Sequence, residues 1–428
     1  MNDRQCRPPS GCENSSLRRR SGWRALWAAA LLAFPVSALA ELALTVAGDT
    51  QYEYNSNVFA LQNGTRTPFG GTNFGDTDLS YGGELDASYL WSQQQFYASV
   101  LGNEYHYDRF KELNHSDYTL VAGWDWKVGR IWDGILDVER IRSMVSFWNV
   151  IGTQLVLQTE QRETARASVQ ATPDWRAEFT GITHTVEQPQ AGAPDLTVTE
   201  SSGTVAVKYT GTAGVTAGVD GNYLRGSFSD TGTNFEPGYN QTSGGLTATD
   251  EVTGLSTFRG QIGYTRRSSD TGGNSISAVT GDLDYKRNLT GKTKIEVDLS
   301  RQINIYLASS TSEIDTIAAL TANWQATYKI NVLLGYTFTY RQLPGQGNEI
   351  VGGVQVNTGT EQTQRLHTPS LTVTYEPVPW LVLKPYVSYQ TRASENLVNG
   401  NFDSTLVGLR FTLQWQRGVV PARTQIYD

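Results

Sequence analysis

Four histidines, His106, His115, His184 and His367, are the only side chains in this 428-residue sequence whose unperturbed charge changes near neutral pH. None recurs at the H-x-x-x-H spacing that puts two imidazoles on one metal. His184 shares a parity with Arg176 and Glu178, so a Ser–His–carboxylate set built across strands stays open, because such a set is defined by geometry. His115 is expected in a long loop. Cys6 and Cys12 precede an expected cleavage site, which leaves a mature chain without thiolate ligands, disulfides or a lipid-bearing cysteine. Gly70-Gly71 and Gly352-Gly353 lack the following helix that a phosphate cradle needs. The expectation is a chain that is no enzyme and carries neither cofactor nor metal.

Charge at alternate positions carries more information. Glu84 and Asp86, Asp282 and Asp284, and Glu296 and Asp298 are spaced by two, and Arg162 and Arg166 by four. On a strand, residues so spaced share one face. Arg176, Arg259, Arg301, Arg341 and Arg410 are expected on the same inward side. Rows of charge on the inside of a pore set ion selectivity. They also pair across strands and solvate a wet interior. The sequence leaves both readings open.

The elements that would position these charges are strands. Leu79, Tyr81, Leu85, Ala87, Tyr89 and Trp91 alternate with Ser80, Gly82, Glu84, Asp86 and Ser88. Val332, Leu334, Tyr336, Phe338 and Tyr340 alternate with Thr337, Thr339 and Arg341, and Val407 to Trp415 repeat the pattern. Segments of about ten residues with this period, divided by turn residues, are the signature of a transmembrane antiparallel β-barrel. Short connections at Ser92-Gln93-Gln94, Val128-Gly129-Arg130, Pro173-Asp174, Gly211–Gly214, Asn288–Gly291, Lys329–Asn331 and Pro377–Pro379 are expected as periplasmic turns. Asn63–Gly75, Arg109–Ser116, Gln188–Asp195, Ser227–Tyr239, Ser268–Asn274, Pro344–Thr360 and Thr391–Gly400 are expected as extracellular loops. The count is about 18 strands, with 16 as the alternative. Trp91, Trp126, Trp132, Trp175, Trp324, Trp380 and Trp415 fall beside the short turns, where indoles favour the membrane interface. The class is all-β, with 21 Tyr and 42 Gly but a mean hydropathy of only −0.38, far too low for a helical membrane protein.

Targeting agrees. Arg18, Arg19, Arg20 and Arg24 precede about ten apolar residues, Ala25–Phe34, and an Ala38-Leu39-Ala40 cleavage site. The expected division is a signal peptide at 1–40, a barrel at 41–416 and a short tail at 417–428. Cleavage near Ala40 removes six basic and two acidic residues and takes the net charge from −8 to about −12, which argues against a nucleic-acid partner. Outer-membrane lipid is the expected surrounding, in the cell outer membrane of a Gram-negative bacterium.

One stretch carries a resemblance. Tyr52-Glu53-Tyr54-Asn55-Ser56-Asn57-Val58-Phe59 resembles the Y-x-x-x-S-N-[VL]-[FY] start of exosortase-associated, EpsL-type outer-membrane barrels, with Tyr52, Ser56, Asn57, Val58 and Phe59 as the matching positions. The terminal Asp428 departs from the aromatic end common in outer-membrane barrels. The resemblance implies a barrel in exopolysaccharide biosynthesis or export, with polysaccharide and export-system proteins as partners, and supplies no catalytic residue. The alternatives are a general or substrate-specific diffusion porin and a surface-binding or structural barrel.

Overall fold

The computed structural model describes residues 40–417 except 63–64, 66–71, 148–153, 190–195, 213, 230–237, 271–274, 307–310, 345–347, 352–353, 358–360 and 396–399. The expected signal peptide, the tail beyond Arg417 and parts of most of the expected loops therefore lie outside the described residues.

Eighteen strands form one closed antiparallel ring. In chain order they begin β1(Ala40–Asn55), β2(Asp76–Trp91), β3(Gln94–Tyr107), β4(His115–Val128), β5(Trp132–Met144) and β6(Leu157–Gln170). They continue with β7(Trp175–Gln188), β8(Leu196–Thr210), β9(Thr216–Phe228), β10(Gly238–Thr253), β11(Ser256–Ser269), β12(Ile276–Thr290), β13(Thr293–Tyr306), β14(Thr311–Gln325) and β15(Ile330–Leu343). A separate two-strand hairpin, β16(Asn348–Val351) and β17(Val354–Asn357), interrupts the connection to β18(Gln362–Val378), which β19(Leu381–Glu395) and β20(Phe402–Arg417) follow. Each barrel strand pairs with its neighbours in sequence, and β15 reaches past the hairpin to β18. The ring closes where β20 lies against β1, from Leu44↔Arg417 to Asn55↔Leu406.

The alternation sets the two faces. Leu79, Tyr81 and Leu85 on β2, Leu334 and Tyr336 on β15, and Val407, Phe411 and Leu413 on β20 are exposed on the outside. Between them, Ser80 and Ser88 on β2 and Arg341 on β15 are buried on the inside. In a water-soluble protein this would be inverted; here the outer face is solvated by lipid. Trp91, Trp132, Trp175, Trp324, Trp380 and Trp415 are exposed beside the short turns, the ring of indoles expected at one interface.

The turns explain the tight end. Ser92 at φ 57 opens the two-residue connection between β2 and β3, and Gly129 at φ 65 and Gly214 at φ 86 do the same work between β4 and β5 and between β8 and β9. The turn at Thr253–Ser256 was not among the expected short connections, because a single Gly254 marks it. The connection at 145–156 was likewise not among the expected loops, and the one between Tyr306 and Thr311 is short although it lies at the long-loop end. His115 corrects another expectation: it begins β4 and is buried, because Tyr105 stacks on it at 4.7 Å and the Leu113 carbonyl lies 2.6 Å from its Nδ1.

Candidate functional site

The inner face of the ring is mostly polar, with Val121, Ile135, Val186 and Val198 buried among its charges, and strand register decides which charges meet. On the wall from β5 to β8, Arg176 reaches Asp133 at 2.6 Å and Glu178 at 3.0 Å, and Lys208 reaches Glu178 at 2.7 Å. Toward the other end of these strands, His184 lies between Glu160 at 3.4 Å and Glu200 at 3.6 Å. Both imidazole nitrogens are thus turned to carboxylates, and neither faces the serine hydroxyl that a general base would need. Tyr239 donates to Glu200, and Arg267 lies over the Tyr239 ring at 4.5 Å while donating to Gln241 and to the Ile303 and Asn304 carbonyls.

Arg162 and Arg166 stand on β6 beside the acidic row of β5, registered against Glu139 and Ile135 on either side of Asp137. Asp137 accepts from the Tyr97 hydroxyl at 2.8 Å.

Further round, Arg259 approaches Asp284 at 3.8 Å. Lys286 bridges Asp284 at 2.8 Å and Glu296 at 3.0 Å. Asp298 is registered directly against Asp284. Asp284, Glu296 and Asp298 bring carboxylate oxygens within 4.8 Å of one another, and the Lys286 ammonium pairs with two of the three, Asp284 and Glu296. Asp282 shares this face, registered against Gln261, which donates to Asp220 at 3.2 Å. On β14 and β15, Arg341 is buried against Asp315 and Glu313, each at 3.0 Å. A buried guanidinium held by two carboxylates is tolerable only because its charge is matched in place.

At the closing seam, Arg410 donates to Gln51 at 2.9 Å and stands 3.6 Å from Asp49. Tyr386 donates to Glu53 from across β20, with its ring laid over Gly408, where any Cβ would come within 2.3 Å of it. Glu84 and Asp86 continue the inward row of β2.

The site residues named from sequence therefore fall on one inner surface, but it holds several ion-pair groups instead of one ring. Arg301 is the exception. It is registered against Gly281 and Thr316, on the parity of the exposed Leu299, and its guanidinium donates outside to Thr316 at 2.8 Å and Gln342 at 3.4 Å. The parity of β13 itself carried this signal, since Glu296 and Asp298 are even-numbered and Arg301 is odd. Asp133, Glu160, Glu200, Lys208, Arg267, Glu313 and Asp315 were not singled out from sequence. Their inward parity was readable; their partners depend on register.

The Tyr52–Phe59 stretch does structural work. Tyr52 is exposed on the outer face. Ser56 pairs with the Thr405 backbone, and Val58 N–H donates to the Phe74 carbonyl. Asn57 is buried, donating through Nδ2 to the Leu61 and Asp403 carbonyls and accepting from Leu61 N–H. Phe59 is 1% exposed and meets Phe110 and Phe147 edge-on at 4.7 and 5.0 Å. With Leu113 they form a small apolar core at the long-loop end, packed against the inward Tyr107. Asp76 fixes it by accepting from Arg109 and Phe110 N–H groups.

No family model matches the chain, and no curated protein does. The chain is similar to solved outer-membrane structures. The outer membrane protein OpdK of Pseudomonas aeruginosa is 11% identical, over 87% of this chain and 99% of that one, with a TM-score of 0.46. OpdQ of the same organism is 12% identical over 88% and 98%, with a TM-score of 0.44. OccAB3 of Acinetobacter baumannii is 9% identical over 88% and 100%, with a TM-score of 0.43. The expected role in exopolysaccharide export is corrected: the solved barrels similar to this chain include Occ and Opd outer-membrane proteins and the siderophore receptor PirA of Pseudomonas aeruginosa, and polysaccharide or export-system partners find no support among them. The chain is an eighteen-strand β-barrel of the Gram-negative outer membrane.

Proposed function

We propose that the protein is a diffusion channel for small polar solutes, with a preference for cations. The observation that carries this is the closed eighteen-strand ring whose inward positions hold polar and charged side chains on strand after strand. A barrel of this strand number is wide enough for an aqueous path. The sign of the preference comes from the charge balance. Arg176, Lys208, Lys286, Arg341 and Arg410 each stand against acids. The inward faces of β2, β4 and β5 add Asp78, Glu84, Asp86, Asp125 and Asp137 against Lys127. Excess fixed negative charge raises the local cation concentration.

Planar-bilayer recording of the purified protein under a salt gradient tests this. The expected result is discrete conductance steps with a reversal potential on the cation side. Replacing Arg162 and Arg166 together by Glu moves it further that way, and replacing Glu84 and Asp86 by Lys moves it back. A folded barrel that conducts nothing, or a reversal potential unmoved by either pair, overturns the proposal.

A further inference from the structure

The wall of the ring is interrupted between β12 and β13. Their ladder ends at Gly281↔Arg301. β12 nevertheless runs five residues further, to Ile276, and β13 five further, to Tyr306. Among the described residues no pair joins these two stretches, although β11 follows β12 as far as Arg267↔Ile276 and β14 follows β13 as far as Tyr306↔Thr311. The two strands overlap here instead of meeting edge to edge. Ile303 and Ile314 share the outward parity of Leu299 and Leu320, yet they are 5% and 8% exposed. Ala278, on the opposite parity to the exposed Val279, packs against them together with Ile276. An inward side chain of β12 thus covers outward side chains of β13 and β14. Arg267 stands in for part of the missing ladder, donating to the Ile303 and Asn304 carbonyls at 3.1 and 2.9 Å.

The gap has a definite height. Arg301 lies eight residues above Thr293, which is registered against the interfacial Trp324. It therefore begins about 20 Å above that indole, near the upper edge of a lipid-facing band about 25 Å tall. Backbone without a ladder at such depth is tolerated where protein buries it or where it lines a wet cavity. A cavity of about 360 Å³ adjoins the gap, lined by Gln302 and Ile303 and by the inward Asp220, Gln261, Thr265 and Thr280. The row from Asp220 to Thr280 passes through Gly245 and Gly263, so its centre is bare backbone and leaves room for a head group against the wall. A Cβ on Gly263 would come within 2.6 Å of the Gly244 carbonyl, which keeps that floor flat. The cavity offers amides, hydroxyls and the carboxylates of Asp220 and Asp282, which favour a cation. The seam offers isoleucine and alanine at the level of the outer lipid leaflet. A molecule that fits both has a small cationic head and an alkyl chain. We propose that the β12–β13 seam is a lateral port through which such an amphiphile passes between the lumen and the outer leaflet, with Ala278, Ile303 and Ile314 as its closure. This rests on the hydrated, acid-rich lumen proposed above.

The test follows radiolabelled dodecyltrimethylammonium, below its lytic concentration, into intact cells that produce the barrel and into cells that lack it. The unaltered barrel is expected to raise the uptake rate several-fold. Ala278→Cys with Ile303→Cys is expected to join in a disulfide across the lap, free of competing thiols, because Cys6 and Cys12 are the only cysteines in the sequence and both precede the expected cleavage site. Oxidised, this variant should take up the probe no faster than cells without the barrel, and reduction should restore the rate. Ile303→Ala with Ile314→Ala thins the closure without any cross-link and should raise uptake further. Salt conductance in planar bilayers separates the port from the channel, since the disulfide leaves the lumen untouched and the steps should be the same in both redox states. No uptake above that of cells lacking the barrel, equal uptake by oxidised and reduced protein, or a heat-modifiable barrel whose two cysteines fail to join overturns the port. Absent conductance with redox-sensitive uptake retained overturns the channel reading alone.

Discussion

Leu334 and Thr337 sit three residues apart on β15 and meet different solvents: Leu334 is exposed to lipid, and Thr337 faces the wet interior. Replacing Leu334 by Arg should cost about 2–4 kcal/mol if it lies near the midplane, because the guanidinium loses its hydration there. Replacing Thr337 by Arg should be tolerated. Urea refolding titrations of both variants check this, and equal losses would mean that β15 has no lipid face. This distinction was legible in the sequence, since it needs only a period of two. What Arg341 touches was not, because Asp315 and Glu313 meet it only through the β14–β15 register.

At the scale of elements, the strands were legible and the mouth was not. Phe59, Phe110, Leu113 and Phe147 come from three separate connections, with no common period to announce that they converge. A helical or strand face shows itself by repetition; a core assembled from loops does not. Its role is testable apart from the barrel. Phe59→Ala removes two edge-on aromatic contacts and a fully buried ring, a change that costs about 3–5 kcal/mol in a core. The loss should fall on the connections alone, since the barrel ladders do not depend on them. Limited proteolysis is expected to cut faster within 56–75 and single-channel traces to become noisier, while the heat-modifiable barrel band is unchanged. Loss of that band would show the mouth core to be part of the barrel's own stability.

At the scale of the molecule, the two ends of the described chain are neighbours. β1 finds its second partner only in β20, at Asn55↔Leu406 and onward to Leu44↔Arg417. Every other barrel pairing joins strands that follow one another, so most of the ring can assemble as successive hairpins. The last ladder has the largest sequence separation. Until it forms, the sheet carries two open rows of unpaired N–H and C=O groups, which lipid cannot satisfy. A chain lacking 402–417 should therefore give no heat-modifiable species and be degraded in the periplasm, instead of inserting as a narrower ring. Pulse-chase with heat-modifiability gels would show it, and a stable inserted product would refute it. Closure of the seam is in effect a proofreading step: insertion selects chains that were made, exported and delivered intact through Arg417, and truncated products are left with edges that mark them for removal.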